Sequence, residues 1–130
     1  GQRLVRRVCK ECAERVPIEK LIPAQQEQIK NQIDTMPENA KKEAMAKEMI
    51  FYVAKGCKVC NNIGYKGRVG IYEIFQIQDN IEESILSGKV SEHDIQEIAR
   101  SQGMTTMVQD GILKALDGLT TVDEVFRVID

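Results

Sequence analysis

Two cysteine pairs of one shape, Cys9-Lys10-Glu11-Cys12 and Cys57-Lys58-Val59-Cys60, constrain this chain more than anything else in it, since it has no other cysteine. A two-residue spacer lets both thiolates of a turn converge on one ion, and two such turns supply the four ligands of a tetrahedral metal. A site closed by four protein ligands leaves no open position for water or substrate. The expectation is therefore a structural Zn²⁺ at Cys9, Cys12, Cys57 and Cys60, with residues 13 to 56 spliced between the halves of its cage. The same thiols could instead form two disulfides or a redox dithiol. Disulfides need an oxidising compartment, to which nothing here directs the chain, and a catalytic CxxC usually stands alone near a βαβ unit.

A chain of 130 residues suffices for one domain of ordinary size or a small domain with appendages. With no Trp, three Tyr and three Phe, its core must be mostly aliphatic. No apolar run approaches the roughly 20 residues of a membrane-spanning helix, and the start lacks the apolar stretch of a signal peptide, so a cytosolic protein is expected. The net charge of −2 is unevenly spread: residues 1–15 are basic, and residues 76–130 carry most of the acid. A dedicated nucleic-acid binder would gather a positive stripe instead.

Along the chain, residues 2 to 8 read as the end of a helix with Leu4, Val5 and Val8 on one side, the abrupt start marking a piece of a longer protein. Arg3, Arg6 and Arg7 read as solvated surface. Pro23 fits the first turn of a helix running to about Thr35, anchored by Ile29 and Ile33 and exposed on most sides. Thr35 and Glu38 have capping-box spacing ahead of a second helix over about 37–50, with Ala40, Ala44, Met45, Met49 and Ile50 as its face. An αα-hairpin between the cysteine pairs follows. Phe51 to Ala54 reads as a short strand, and residues 68 to 77 as another after the turns at Gly64 and Gly67, so a small antiparallel sheet is expected beside the metal.

Four short helices are expected from residue 79 onward. Asn80 and Ser91 head the first two, which stop at Gly88 and Gly103. Thr105 or Thr106 heads the third, with Val108, Ile112, Leu113 and Leu116 inward and Gly118 as its stop; Thr121, with Glu124, heads the last. Gly111 inside the third costs about 1 kcal/mol relative to Ala, which predicts a close backbone contact there. His93, the only histidine, reads as solvent-facing. The fold class is thus α+β and mostly α: a zinc knuckle with a small sheet, an inserted αα-hairpin and a C-terminal bundle of short helices. The division expected is residues 1–78 for the zinc-binding part, with its helical insertion at about 13–56, and 79–130 for the helical part. No GxxxxGK motif with a following Ser or Thr is present, and Gly88-Lys89-Val90 does not supply one, so no catalytic or nucleotide-binding residue is assigned.

Several stretches, in order, resemble one family, the hexameric assembly ATPases of bacterial type II secretion and type IV pilus systems. They are Gln2 to Arg7 leading into Cys9 and Cys12, Gly56 to Cys60, Gly64-Tyr65-Lys66-Gly67-Arg68-Val69-Gly70-Ile71-Tyr72-Glu73, Gly103-Met104 to Asp110-Gly111, and Gly118 to Thr121 with Glu124-Val125 and Arg127-Val128. The resemblance is weakest over residues 17 to 51. It implies that the chain is the C-terminal part of such an ATPase, whose RecA-like core with ATP and Mg²⁺ lies upstream. The fragment itself would then be no enzyme. The implied partners are that core, neighbouring subunits of the hexamer and an inner-membrane platform protein, with no nucleic acid and no direct membrane insertion. The implied location is cytoplasmic, peripheral to the bacterial inner membrane, where the parent drives pilin or pseudopilin assembly.

Relatives commonly have Gly where this chain has Asn62, and Asn tolerates the left-handed backbone region that such a turn needs. Members without the cysteines exist, which makes zinc a stabiliser rather than part of the motor's chemistry. Lys55, Lys58, Lys66 and Arg68, with the αα-hairpin, form a possible interaction surface. The alternative reading is a free-standing zinc-ribbon module that binds nucleic acid or protein.

Overall fold

The computed structural model describes residues 2–73 and 104–129. Its elements run β1 (Gln2–Val8), β2 (Glu14–Pro17), a 3₁₀ turn (Ile18–Lys20), α1 (Pro23–Asp34), α2 (Glu38–Met45), β3 (Ile50–Val53), β4 (Tyr65–Tyr72), α3 (Met107–Leu116) and α4 (Val122–Ile129). The architecture is α+β, with four helices and two small antiparallel sheets among the described residues. The helices expected after Asn80 and Ser91, the strand's continuation to residue 77 and His93 lie outside those residues.

The pairing of the strands places the knuckles. β1 leads into the first cysteine pair and β2 leaves it; β3 leads into the second and β4 leaves it. β1 pairs with β4, and β2 with β3, both antiparallel. One ladder is thereby nested inside the other, and the two cysteine turns meet where the ladders join. Val8 faces Tyr65 and Arg6 faces Arg68, so Lys66 and Gly67 together oppose the single Arg7. Gly67, at φ 80°, is the residue type such a bulge favours.

Residues 2–8 are therefore a strand and not the expected helix end. The spacing of Leu4, Val5 and Val8 fits a helix face, but Val5 and Val8 are buried while Leu4 is 54% exposed. The chain takes the extended form because β4 offers it a ladder, and because the loop before α4 bonds it as well: Val8 N–H donates to the Leu119 carbonyl at 3.1 Å, and the Thr120 hydroxyl to the Arg6 carbonyl at 2.8 Å. β2 was not expected from the sequence at all.

α1 starts at Pro23, as its fixed φ predicts, and buries Ile29 and Ile33. No Thr35–Glu38 capping box forms. Thr35 closes α1, its hydroxyl donating back to the carbonyls of Asn31 (3.1 Å) and Gln32 (3.2 Å), while Pro37 occupies the N-cap of α2. α2 is also shorter than its expected span. It buries Ala40 and Ala44, leaves Met45 64% exposed, and ends there because the chain must extend by Ile50 to pair with β2.

The cap of α3 is as expected, and Thr121 heads α4 by accepting from Glu124 N–H at 3.1 Å, although the Glu124 side chain takes no part in that cap. Thr106 accepts from Gln109 N–H and the Gln109 side chain accepts from Thr106 N–H, a reciprocal capping box. Gly118, at φ 80°, ends α3: its N–H donates to Ala115 and that of Leu119 to Lys114, both at 3.0 Å, which satisfies two orphan carbonyls. Gln109 then does a second task. Its buried side-chain amide donates to the Gln32 carbonyl at 3.1 Å and the Thr35 hydroxyl at 3.2 Å, tying α3 to the end of α1. The buried cluster joins Ile18, Ile29, Ile33, Met36, Ala40, Ala44 and Phe51 to Ile112, Leu113, Ala115, Leu116 and Val122, with Phe51 wholly enclosed.

Gly111 is the close contact its position predicted. A Cβ there would lie 2.6 Å from Cγ1 of Val125 on α4, a buried and stiff β-branched side chain. Gly111→Ala is expected to lose about 1–3 kcal/mol from overpacking, outweighing the roughly 1 kcal/mol that Ala gains in a helix. Urea unfolding measures the net effect; an unchanged or raised midpoint would mean that α3 and α4 separate freely.

Candidate metal centre

The four cysteines come together. All four Sγ atoms lie within 4.8 Å of one another, although the two pairs are separated by the whole β2–β3 unit. Cys9 to Cys57 is 3.7 Å, Cys57 to Cys60 is 3.7 Å and Cys12 to Cys60 is 3.9 Å. Sulfurs bound tetrahedrally at about 2.3 Å from a Zn²⁺ would stand about 3.8 Å apart, so the spacing fits the ion. All four cysteines are free thiols, Cys9 and Cys60 buried and Cys12 and Cys57 half-buried.

Backbone N–H groups aim at these sulfurs. Gly56 donates to Cys12, Cys57 to Cys60 and Gly64 to Cys60, each at 3.2 Å. The turns that permit this need a left-handed backbone at Gly56 (φ 112°), Asn61 (56°), Asn62 (63°) and Gly64 (89°). Asn62 thus adopts the conformation expected of it. At Gly56 a Cβ would also sit 2.8 Å from the Asn62 carbonyl oxygen, so no larger residue fits. The second knuckle is closed by Asn62 N–H to the Cys57 carbonyl at 2.7 Å, and Cys9 N–H reaches the Gly64 carbonyl at 2.9 Å, joining the two knuckles directly.

The donors set the acidities apart. Burial opposes ionisation of Cys60, but the N–H groups of Cys57 and Gly64, with the thiols of Cys57 and Cys12, outweigh it and bring its pKa down to about 6. For Cys57 the Cys60 backbone favours the thiolate, yet burial and the sulfurs of Cys60 and Cys9 lift it to about 11. Thiolates this close repel one another, and a divalent cation among them is the arrangement that lets all four ionise.

Beside the cage lies a charged site that the sequence did not reveal. Glu124 of α4, 1% exposed, accepts from Arg6 N–H (2.7 Å), from the Arg6 guanidinium (both 3.1 Å) and from Arg127 (2.8 and 2.9 Å). Burial raises its pKa, but the bonds from Arg127 and Arg6 prevail and hold it at about 2. Arg6 also lies over the Tyr65 ring at 4.3 Å, and the Tyr65 hydroxyl meets that of Thr121 at 2.8 Å. Arg6 keeps 43% of its side chain exposed, but it is not free in solvent: it fastens the strand before the first knuckle to α4. Arg127, three residues after Glu124, was the only local signal. A second buried carboxylate, Asp110, accepts from Tyr72 N–H at 2.9 Å and Lys114 at 2.7 Å, fixing the far end of β4 to α3.

All four members of the expected basic interaction group, Lys55, Lys58, Lys66 and Arg68, are exposed, and Lys55 pairs with Glu14 at 3.0 Å. No helix among the described residues is long and apolar enough to cross a membrane.

The family model described as Type II/IV secretion system protein matches residues 1–127. A type IV pilus assembly ATPase, PilB, of Thermus thermophilus is 39% identical over 125 residues, covering 96% of this chain and 12% of that protein. The type II secretion system ATPase E of Vibrio cholerae is 36% identical over 128 residues, and the type II secretion system protein E of Pectobacterium carotovorum 34% over 128; each match covers 98% of this chain and 22% of the relative. The chain thus spans about a fifth or less of the length of these relatives, and the family match runs from the strand before the first knuckle into α4. With the cysteine cage and the terminal helices both inside that match, the chain belongs to the family of type II/IV secretion system proteins.

Proposed function

We propose that Cys9, Cys12, Cys57 and Cys60 hold one structural Zn²⁺, and that the chain is the C-terminal part of a secretion or pilus assembly ATPase. The convergence of four sulfurs at tetrahedral spacing carries the first statement. The full-length family match, over a small share of each relative, supports the second. In this reading the zinc-binding part, residues 1–78, and the helical part, residues 79–130, form a braced unit on the ATPase. ATP and Mg²⁺ belong to the remainder of the parent, and this part performs no catalysis. Its partners are the rest of the motor, neighbouring subunits of a hexamer and an inner-membrane platform protein on the cytoplasmic side. α1 and α2, as an inserted hairpin, add exposed surface for such contacts.

When bound, the metal supplies a cross-link. The chain's own N–H groups at Gly56, Cys57 and Gly64 orient the sulfurs and favour their thiolate form. Purified without chelator, the chain is expected to carry about one zinc ion per molecule by atomic absorption. The Cys9→Ser/Cys60→Ser double variant should carry none. Wild-type protein that is free of zinc, or a double variant that retains it, would overturn the assignment.

A further inference from the structure

We propose that the groove between β1, β4 and α4 docks a short acidic segment of a partner protein, one with aliphatic side chains among its carboxylates. The groove encloses about 640 Å³ and is lined by Leu4, Arg6, Ile63, Lys66, Arg68 and Arg127, with Tyr65 among them. Its charge is unbalanced. Arg6 stands directly opposite Arg68 across the ladder, and like charges in that position are destabilising.

Among the described residues Glu124 is the one carboxylate bonded to these cations, and it serves Arg6 and Arg127 together. Among the described residues Lys66 and Arg68 have no carboxylate within ion-pair distance, and both are exposed. An incoming carboxylate would relieve the Arg6–Arg68 repulsion, and a guanidinium such as that of Arg68 binds one through two parallel bonds.

The apolar residues of the groove give the partner its second property. Leu4 is 54% and Ile63 59% exposed, and aliphatic side chains laid over them would remove that surface from water. A nucleic acid matches the charge but not the rest: Tyr65 is the only aromatic among the described residues lining the groove and the Arg6 guanidinium lies over its ring at 4.3 Å, so successive bases find no row of stacking platforms. The groove is formed by strands and a helix already fastened by Glu124, so its occupant meets a prearranged surface. This inference stands apart from the metal assignment and from the identity of the parent protein.

Fluorescence anisotropy with the full chain tests it, using a fluorescein-labelled peptide Gly-Glu-Leu-Asp-Glu-Ile-Glu-Asp-Leu-Gly as probe. Saturable binding is expected. It should weaken by at least about tenfold in Arg68→Glu and, separately, in Ile63→Ser, both of which alter exposed side chains; Ile63→Ser should keep the wild-type unfolding midpoint, and Arg68→Glu should keep or raise it, since it removes the repulsion with Arg6. A peptide with Ser for each aliphatic residue should bind as weakly as the probe does to Ile63→Ser. A peptide with Lys for each acid should bind the Lys66→Glu/Arg68→Glu variant and not the wild type. Absence of saturable binding overturns the proposal, as does equal affinity for the Ser-substituted peptide, which would reduce the site to charge alone. Displacement of the probe by anionic phosphatidylglycerol vesicles, with loss of vesicle binding in Arg68→Glu, would assign the groove to a lipid surface and overturn it equally.

Discussion

With Zn²⁺ held at the four cysteines as proposed, stripping it with a chelator is expected to loosen the two knuckles before it disturbs the packing around Phe51. Each knuckle holds little apolar material: Val59 and Ile63 are 52% and 59% exposed, and the second turn runs through four left-handed residues. The proposed cross-link would close the stretch of residues 13 to 56, and a covalent link across a loop of that size removes unfolded-chain entropy worth about 4 kcal/mol. Zinc peptides release on the order of 10 kcal/mol at neutral pH, so the knuckles should depend on the ion more than on their own contacts. The amides of Ala13, Asn62, Ile63 and Gly64 should therefore lose hydrogen-exchange protection on chelation. Those of α1 and α3, which rest on the buried aliphatic cluster, should change far less. Exchange across both knuckles that is identical with and without chelator would remove the bracing role.

Replacing Glu124 with Ala should cost about 2–3 kcal/mol in urea unfolding at neutral pH, because it removes the acceptor of the Arg6 N–H and leaves a cavity, while the Arg6 and Arg127 guanidiniums, 43% and 59% exposed, turn to water. Glu124→Gln keeps the shape and removes the charge, so it should lose less. The sign of the pH effect follows from a folded pKa depressed to about 2 against an ordinary value of 4.5. A carboxylate of this kind contributes stability that is fully present above pH 4.5 and is lost as pH falls from there towards 2. The shift corresponds to about 3 kcal/mol at most. Compared at matched pH, the gap between wild type and Glu124→Gln should narrow as the pH falls below about 4.5 towards 2, where metal loss affects both proteins alike. A gap that stays constant would show that the carboxylate contributes shape and hydrogen bonds without its charge.

What the sequence disclosed depended on how far apart the interacting residues lie. The cysteine turns are legible because each half of the ligand set sits within four residues, and α1 and the caps at Thr106, Gly118 and Thr121 because a helix end is decided by its own turn. Gly111 was legible because a glycine inside a helix demands a neighbour. β1 was misread for the opposite reason: its local apolar spacing suits a helix, while its partner β4 begins at Tyr65. Glu124 looked like part of a helix cap, and Thr121 does accept its N–H at 3.1 Å, but the side chain turns to Arg6, 118 positions away. The early end of α2 likewise answers to β2, which no local signal announced.

The outer ladder also decides how the unit responds to force. Gln2 lies opposite Tyr72, so the chain enters and leaves β1 and β4 at the same end, remote from the cysteines. Tension between those two points would not shear the strands along their length; it would peel them apart one pair at a time. The peeling front would meet the Arg6–Glu124–Arg127 anchor before it reached the bulge at Gly67, and the sulfur cage last. A pull transmitted through these ends would thus be resisted in stages, with the proposed metal cross-link placed where the opening must stop.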